Sequence, residues 1–378
     1  MSEQEAIRST DLAGVVVGQT AISDVQGDKG LLSYRGIDIN NLIDVPFLHV
    51  VWMLLFDEWP DERQKSALKA FMCRHLQLSH AEQDLLRHVD RDLHPMLVLQ
   101  GMVPLLQLPQ EETLDAGMDA EHGLFIAAKI TALVAAHHRL GQNKGILPPT
   151  PGKLFHDNFL TLFNGRAPTL DQVKMLNAAQ ILQMEHSYNA GTFAGRVCAS
   201  TQAPIQSSIS ASIGTLFGRL HGGADQAALE MAMEIGSPDR AEAYVRDSLA
   251  NKVKIMGMGH REYRTVDPRA KILKPMAVEL CRNEESENLL RVLIAVEEAC
   301  QREFASRGKE IWANVEFYKG AVFHSLGIPT RFFTALFAMA RVYGYIAHYL
   351  EFSRDSRLIR PRAEYIGPPV GERDKSAA

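Results

Sequence analysis

Apolar residues recur through most of the chain at the three-to-four-residue spacing of helices that face a core. Val173, Leu176, Ala179, Ile181, Leu182 and Met184 trace one such stripe. Two segments are apolar nearly all round, residues 45–56 (VPFLHVVWMLLF) and residues 332–350. The first is too short to span a bilayer. The second is long enough but carries Arg341 near its middle, and an arginine at the bilayer centre costs about 2.5–3.5 kcal/mol on insertion. Both are expected as interior helices. Only residues 11–40 read as strand. LAGVVVGQTAISDV is rich in β-branched residues, and QGDKGLLSYRGIDI sets glycine turns around a short alternating run, which predicts one or two small hairpins. Ser237–Pro238–Asp239 predicts a helix start, with serine at the cap and proline in the first turn. Thr330 is placed to cap the helix through Arg341, after Gly327 and Pro329 close the preceding one. The small residues of 207–218 predict a close helix–helix approach, and the tail GERDKSAA reads as disordered. The fold class expected is mainly α, with a small N-terminal β-hairpin region.

Composition narrows the class. With 46% hydrophobic and 22% charged residues over 378 positions, the chain has the make-up of a soluble globular enzyme with a large core. A net charge of −5 offers no bulk positive field to nucleic acid or to anionic lipid. The opening MSEQEAIRSTDLAG lacks the apolar run of a secretory signal, and its acidic residues do not suit a mitochondrial transit peptide. Cys73, Cys198, Cys281 and Cys300 are scattered without a CxxC pair and read as reduced packing residues of a cytoplasmic protein.

Phosphate-loop, dinucleotide-fingerprint, HExxH and paired CxxC signatures are absent from the sequence. Histidines and arginines beside glycines carry the candidate chemistry instead. His186 lies in Glu-His-Ser-Tyr-Asn-Ala-Gly at the end of an apolar helix, and His221 in Leu-His-Gly-Gly-Ala before a new one. His260, Arg264 and Arg269 share the turn-rich stretch 257–270, and Glu316 lies in Asn-Val-Glu-Phe-Tyr-Lys-Gly near a helix start. Each has a plain structural reading. A histidine beside glycines serves as a cap or turn residue, His186 as a core histidine, and Glu316 as a carboxylate favoured by a helix N-terminus. The arginines of 261–269 read equally as a solvated basic face. Arg341 is harder to place, because a buried guanidinium needs an anionic partner. An internal glutamate or a carboxylate substrate satisfies that need, and Arg360, in Ile-Arg-Pro-Arg-Ala-Glu-Tyr, is a second such candidate.

In this order and spacing the motifs closely resemble those of the citrate synthase family, from GVVVGQTAISDV and LLSYRGIDI to IRPRAEYIGP. The resemblance implies a two-domain helical fold. Residues 223–326 would form the small domain, and 1–222 with 327–378 the large domain and dimer interface. It implies condensation of acetyl-CoA with oxaloacetate by an acyltransferase whose acyl group becomes an alkyl group on transfer. Arg269, Arg341 and Arg360 match the arginines that hold the two oxaloacetate carboxylates, the last reaching across from the other subunit. His186 and His260 match the oxaloacetate-binding histidines, and His260 also polarises and protonates the keto oxygen. His221 matches the group that hydrogen-bonds the thioester oxygen, and Arg264 a contact to CoA phosphates. CoA enters as substrate and product, with no metal or permanently bound cofactor. The compact length resembles the homodimeric bacterial and archaeal members.

The chemistry asks for these groups. A thioester methyl is a very weak acid, so its removal needs a placed base and a donor where enolate charge develops. A dianionic acceptor needs fixed guanidiniums. The sequence departs from the family at the base, where Glu316 stands in place of the aspartate of Asn-Val-Asp-Phe-Tyr. One extra methylene moves a carboxylate by on the order of 1 Å, and such a displacement can cost about 100-fold in rate. Asp225–Gln226 replaces the common Asn-Glu, and Glu262 follows Gly-His-Arg where an apolar residue is common. Three other readings stay open: a 2-methylcitrate synthase using propionyl-CoA, a non-catalytic paralogue binding CoA or dicarboxylates, and a helical scaffold.

Overall fold

The computed structural model describes residues 11–12, 14–354 and 357–370. The first ten residues of the opening segment, and the tail GERDKSAA read as disordered, lie outside the described residues. Strand β1 (Ser23–Gln26) pairs antiparallel with β2 (Leu31–Tyr34) in the register Ser23↔Tyr34, and the short β3 (Ile37–Asp38) adds to β2. The alternating run of β2 buries Leu32 and Tyr34 and turns Leu31 outward. The Tyr34 hydroxyl reaches Ile181 O (2.9 Å) and Glu185 O (3.1 Å), which pins the expected hairpin onto the end of a helix 147 positions away.

Among the described residues the rest of the regular structure is helical, apart from an isolated antiparallel bridge between Met258 and Ala313. In the first part of the chain run α1 (Phe47–Phe56), α2 (Glu62–His75), α3 (His80–His88), α4 (Pro95–Met102) and α5 (Met118–Gly141). They are followed by α6 (Phe155–Asn164), α7 (Leu170–Gln183), α8 (Ala190–Ala199) and α9 (Ile205–Leu216). The last of the long helices, α15 (Phe333–Ser353), threads through this set and packs on α1, α5, α7, α8 and α9. Being enclosed on all sides explains why its sequence is apolar nearly all round: every residue from Phe333 to His348 is buried. Truncating a side chain such as Phe333 or Leu336 there to alanine costs about 2–5 kcal/mol. The small-residue stretch does make a close pair. On α8, a Cβ at Gly195 would overlap Ser208 and Ser212 of α9, and Ser208 Oγ donates to Gly195 O (2.8 Å).

A second set packs chiefly on itself: α10 (Ala224–Ile235), α11 (Ala241–Ala250), α12 (Pro268–Leu280), α13 (Glu284–Ala305) and α14 (Val315–Ser325). It meets the first set where α12 and α14 touch α7 and where α10 touches α15. Most of the candidate site residues gather along this seam.

Two helix starts differ from expectation. Pro238 opens a 3-10 turn (Pro238–Arg240) that runs into α11, and Ser237 Oγ bonds the Asp239 side chain instead of capping the backbone. Thr330 likewise begins a 3-10 turn (Thr330–Phe332), so Phe332 stands at the cap of α15, and the Thr334 hydroxyl behind it donates to Gly222 O (3.0 Å). Among the described residues, no helix is long and apolar enough to cross a membrane.

Candidate active site

His260 ends a loop whose backbone glycine accepts best, since Gly257 and Gly259 have φ of +77° and +84°. This loop pairs with the approach to α14. Gly259 N–H donates to Trp312 O (2.8 Å) and Asn314 N–H to Gly257 O (2.9 Å). Asn314 then caps α14, its Oδ1 accepting from Glu316 N–H (3.0 Å) while its Nδ2 donates to Gly259 O (2.8 Å). The histidine loop and the helix start carrying Glu316 are therefore one hydrogen-bonded unit. On its other side the loop rests on the β1–β2 turn, where a Cβ at Gly27 would overlap the Glu262 carbonyl.

Asp267, which the sequence did not mark, organises the next layer. It caps α12, pairs with the Arg269 guanidinium through both oxygens (3.0 and 2.8 Å), and accepts from Val315 N–H at the start of α14 (3.0 Å). Burial works against both charges, yet each holds the other ionised: Asp267 lies below the usual carboxylate range and Arg269 above its ordinary value. Arg269 Nη2 lies 3.3 Å from His260 Nε2, while His260 Nδ1 accepts from the main-chain N–H of Glu262 (3.0 Å) and Tyr263 (3.2 Å). Burial, then Arg269, pushes His260 down to about 4, so its ring is neutral at pH 7. With Nδ1 accepting, the proton sits on Nε2. Two donors thus stand side by side and favour an acceptor oxygen beside both.

The His186 ring lies 5.5 Å from that of His260, its Nε2 3.1 Å from the Tyr263 hydroxyl. It is held from behind: Ser23 Oγ accepts from Ser187 N–H (2.9 Å) and donates to Glu185 Oε1 (3.1 Å), which also meets His348 Nε2 (2.9 Å). Burial, then Arg269 and Arg341, drives His186 well below its ordinary value.

Arg341 is 1% exposed, and its Nε donates to the Gln183 carbonyl (2.7 Å). Its guanidinium lies 4.7 Å from the Phe337 ring centre. Among the described residues no carboxylate forms a close ion pair with it, although its charge helps hold the buried Glu185 carboxylate ionised. The Phe337 ring also carries Lys319 Nζ at 4.3 Å and has the His221 ring at its edge, centroids 6.5 Å apart. His221 Nε2 is 3.4 Å from Gly191 N and 3.3 Å from Asn189 Oδ1. Burial, then Arg341, pushes His221 down to about 4. Glu316, 8% exposed in the first turn of α14, makes an ion pair with Lys319 one turn on.

Beside His260 opens a cavity of about 440 Å³, a size suited to part of a large ligand. Val253, Ile255, Met258 and Ile311 give it apolar walls, with Lys254 and Arg264 among its lining. Arg264 is largely exposed, 3.5 Å from Asp28. Arg360 stands apart. It is exposed on the extended C-terminal segment, which is anchored where Ile359 N–H donates to Ser200 Oγ (3.1 Å). Among the described residues nothing joins it to the cluster of its own chain. The structure thus brings together His186, His221, His260, Arg269, Arg341 and Glu316 along the seam, and adds Asp267, Tyr263, Gln183 and Lys319.

The family model for the citrate synthase C-terminal domain matches residues 11–362. The chain belongs to the citrate synthase family. It is 33% identical to the citrate synthase of Saccharolobus solfataricus over 97% of this chain and 98% of that protein. Identity is 36% to citrate synthase 2 of Bacillus subtilis (96% and 98%), and 32% to the 2-methylcitrate synthase of Shewanella oneidensis (97% of each). The fold superposes on the citrate synthase of Pyrobaculum aerophilum with a TM-score of 0.88 at 30% identity, covering 97% of this chain and 96% of that one. A ternary complex of citrate synthase from Thermoplasma acidophilum with carboxymethyl coenzyme A and oxaloacetate gives a TM-score of 0.86 at 29% identity, covering 95% and 98%. As a citrate synthase-type acyltransferase, the chain has the mainly α fold that its sequence predicts.

Proposed function

We propose that this enzyme condenses acetyl-CoA with oxaloacetate and water to give citrate and CoA, at the seam between the two helix sets. The observation that carries the reading is Arg341: a buried guanidinium without a carboxylate partner among the described residues, set among two neutral histidines and a carboxylate. Leaving such a charge buried costs several kcal/mol, which a carboxylate ligand offsets. Arg269 and Arg341 hold the oxaloacetate carboxylates, with His186 beside them. Glu316 removes a methyl proton of acetyl-CoA. His221 donates to the thioester oxygen as the enol forms. The enol carbon attacks the keto carbon while His260 Nε2–H protonates the keto oxygen. Water then cleaves the C–S bond of citryl-CoA and the CoA thiol leaves. The cavity beside His260 takes part of the CoA, Arg264 and Lys254 meeting its phosphates. No step calls for a metal or a bound cofactor.

Closure of the 223–326 unit onto the rest fits this division of labour, because Arg269, His260 and Glu316 lie on one side of the seam and Arg341 and His186 on the other. The working form in this reading is a cytoplasmic homodimer, supported by the separation of Arg360 from the cluster of its own chain and by four unpaired cysteines. Arg360 of each subunit completes the site of its partner. The Shewanella oneidensis relative supports a second reading, propionyl-CoA as donor, since one added methylene changes binding by only about 1–3 kcal/mol. Mixing Arg360→Ala protein with His260→Ala protein, after subunit exchange, tests the shared site by thiol release in the presence of oxaloacetate. Heterodimers carry one intact site and recover activity above either parent. No recovery with exchange confirmed rules out a site completed by the partner.

A further inference from the structure

We propose that Lys319 is a positioning residue for the base: it draws the Glu316 carboxylate into place and ties it to the seat of Arg341. This rests on Glu316 being the base. Lys319 is fully buried, which lysine seldom is, and an ammonium there is desolvated at a cost that a neutral side chain avoids. The three-residue spacing puts Glu316 and Lys319 on one face of α14. Their ion pair is made through Oε2 and fixes the carboxylate from one side, leaving Oε1 to face the substrate. Lys319 Nζ also donates to Gln183 Oε1 (2.9 Å), and the main-chain carbonyl of Gln183 accepts from Arg341 Nε (2.7 Å). A single residue at the end of α7 thus holds both the lysine that contacts the base and the arginine without a carboxylate partner. Phe337 backs both cations, at 4.3 Å and 4.7 Å. Two other charges of these helices are engaged elsewhere. Arg269 is held by Asp267, and Glu297 of α13 is engaged by Tyr318 and Lys274. A base longer by one methylene needs a fixed anchor one turn along its helix, and Lys319 supplies it.

A double-mutant cycle tests the link: Lys319→Met, Glu316→Asp and the pair together, assayed with the acyl-CoA that the wild type uses faster. Lys319→Met lowers kcat by about 10- to 100-fold, the range of a base displaced by about an ångström, while KM for oxaloacetate changes much less. Glu316→Asp costs far less in the Lys319→Met background than in the wild type, so the two losses fail to multiply by about 10-fold or more. If Lys319→Met does not fold, Lys319→Gln removes the charge while keeping a polar contact to Gln183, with the same expectation. Independent multiplication of the two effects, or a loss carried by KM instead of kcat, overturns the proposal. Glu316→Gln in the same assay separates the two levels. Retained turnover removes Glu316 as base and Lys319 with it, whereas lost turnover with an additive pair removes Lys319 alone.

Discussion

Replacing Glu316 with glutamine lowers condensation at least about 100-fold, because the amide keeps size and polarity but cannot take the methyl proton. Oxaloacetate binding stays nearly unchanged, since Arg269 and Arg341 lie on α12 and α15 and neither depends on the Glu316 side chain for its hydrogen bonds. Glu316→Asp lowers turnover as well. The shorter carboxylate, held at the same α14 start by Asn314, falls short of both Lys319 and the substrate methyl. Steady-state kinetics with calorimetry of oxaloacetate binding checks both variants. Turnover of Glu316→Gln within twofold of the wild type takes the base away from Glu316. A faster Glu316→Asp enzyme makes the glutamate a detuned copy of the family's aspartate.

Arg341→Met weakens oxaloacetate binding about 100-fold or more, the scale of losing a buried charged partner. The unliganded protein loses little melting temperature, because methionine fills the volume without the desolvation penalty of a guanidinium, and the buried Glu185 carboxylate that Arg341 helps hold ionised keeps His348 and Ser23 as partners. That combination separates a ligand-binding arginine from a structural one, whose removal would strand a buried carboxylate and lower the melting temperature. Coupling also disappears. Oxaloacetate tightens acyl-CoA binding in the wild type by closing the seam, and Arg341→Met has no such effect. Calorimetry that finds acyl-CoA affinity independent of oxaloacetate in the wild type contradicts closure.

Much of this site was legible in the chain itself. An arginine in the middle of an apolar helix announced a buried charge before any fold was visible, and the glycines before His260 marked a turn-rich stretch. What the sequence concealed are contacts whose partners lie far apart in it. Tyr263 meets His186 across 77 positions, and Lys319 meets Gln183 across 136. The Glu316–Lys319 spacing was in plain view, but only the packing of α14 against α7 and α15 shows that the lysine is buried. Asp267 went unmarked because nothing local shows that its second oxygen reaches the start of α14, 48 positions on. The caps assigned to Ser237 and Thr330 failed for a local reason. Each residue leads into a 3-10 turn, which moves the true helix start two or three residues on.

The central claim is that this site forms a carbon–carbon bond between the α-carbon of an acyl-CoA, the methyl of acetyl-CoA, and a keto acid. Acetyl-CoA labelled with carbon-13 in its methyl group, incubated with the enzyme and oxaloacetate, tests it most directly, with labelled propionyl-CoA run in parallel. NMR should show the label moving into a methylene of citrate, with one CoA thiol released per label transferred and no transfer when oxaloacetate is omitted. Label remaining in acetyl-CoA, or appearing in acetate without citrate, contradicts the account, and transfer from propionyl-CoA alone makes the enzyme a 2-methylcitrate synthase.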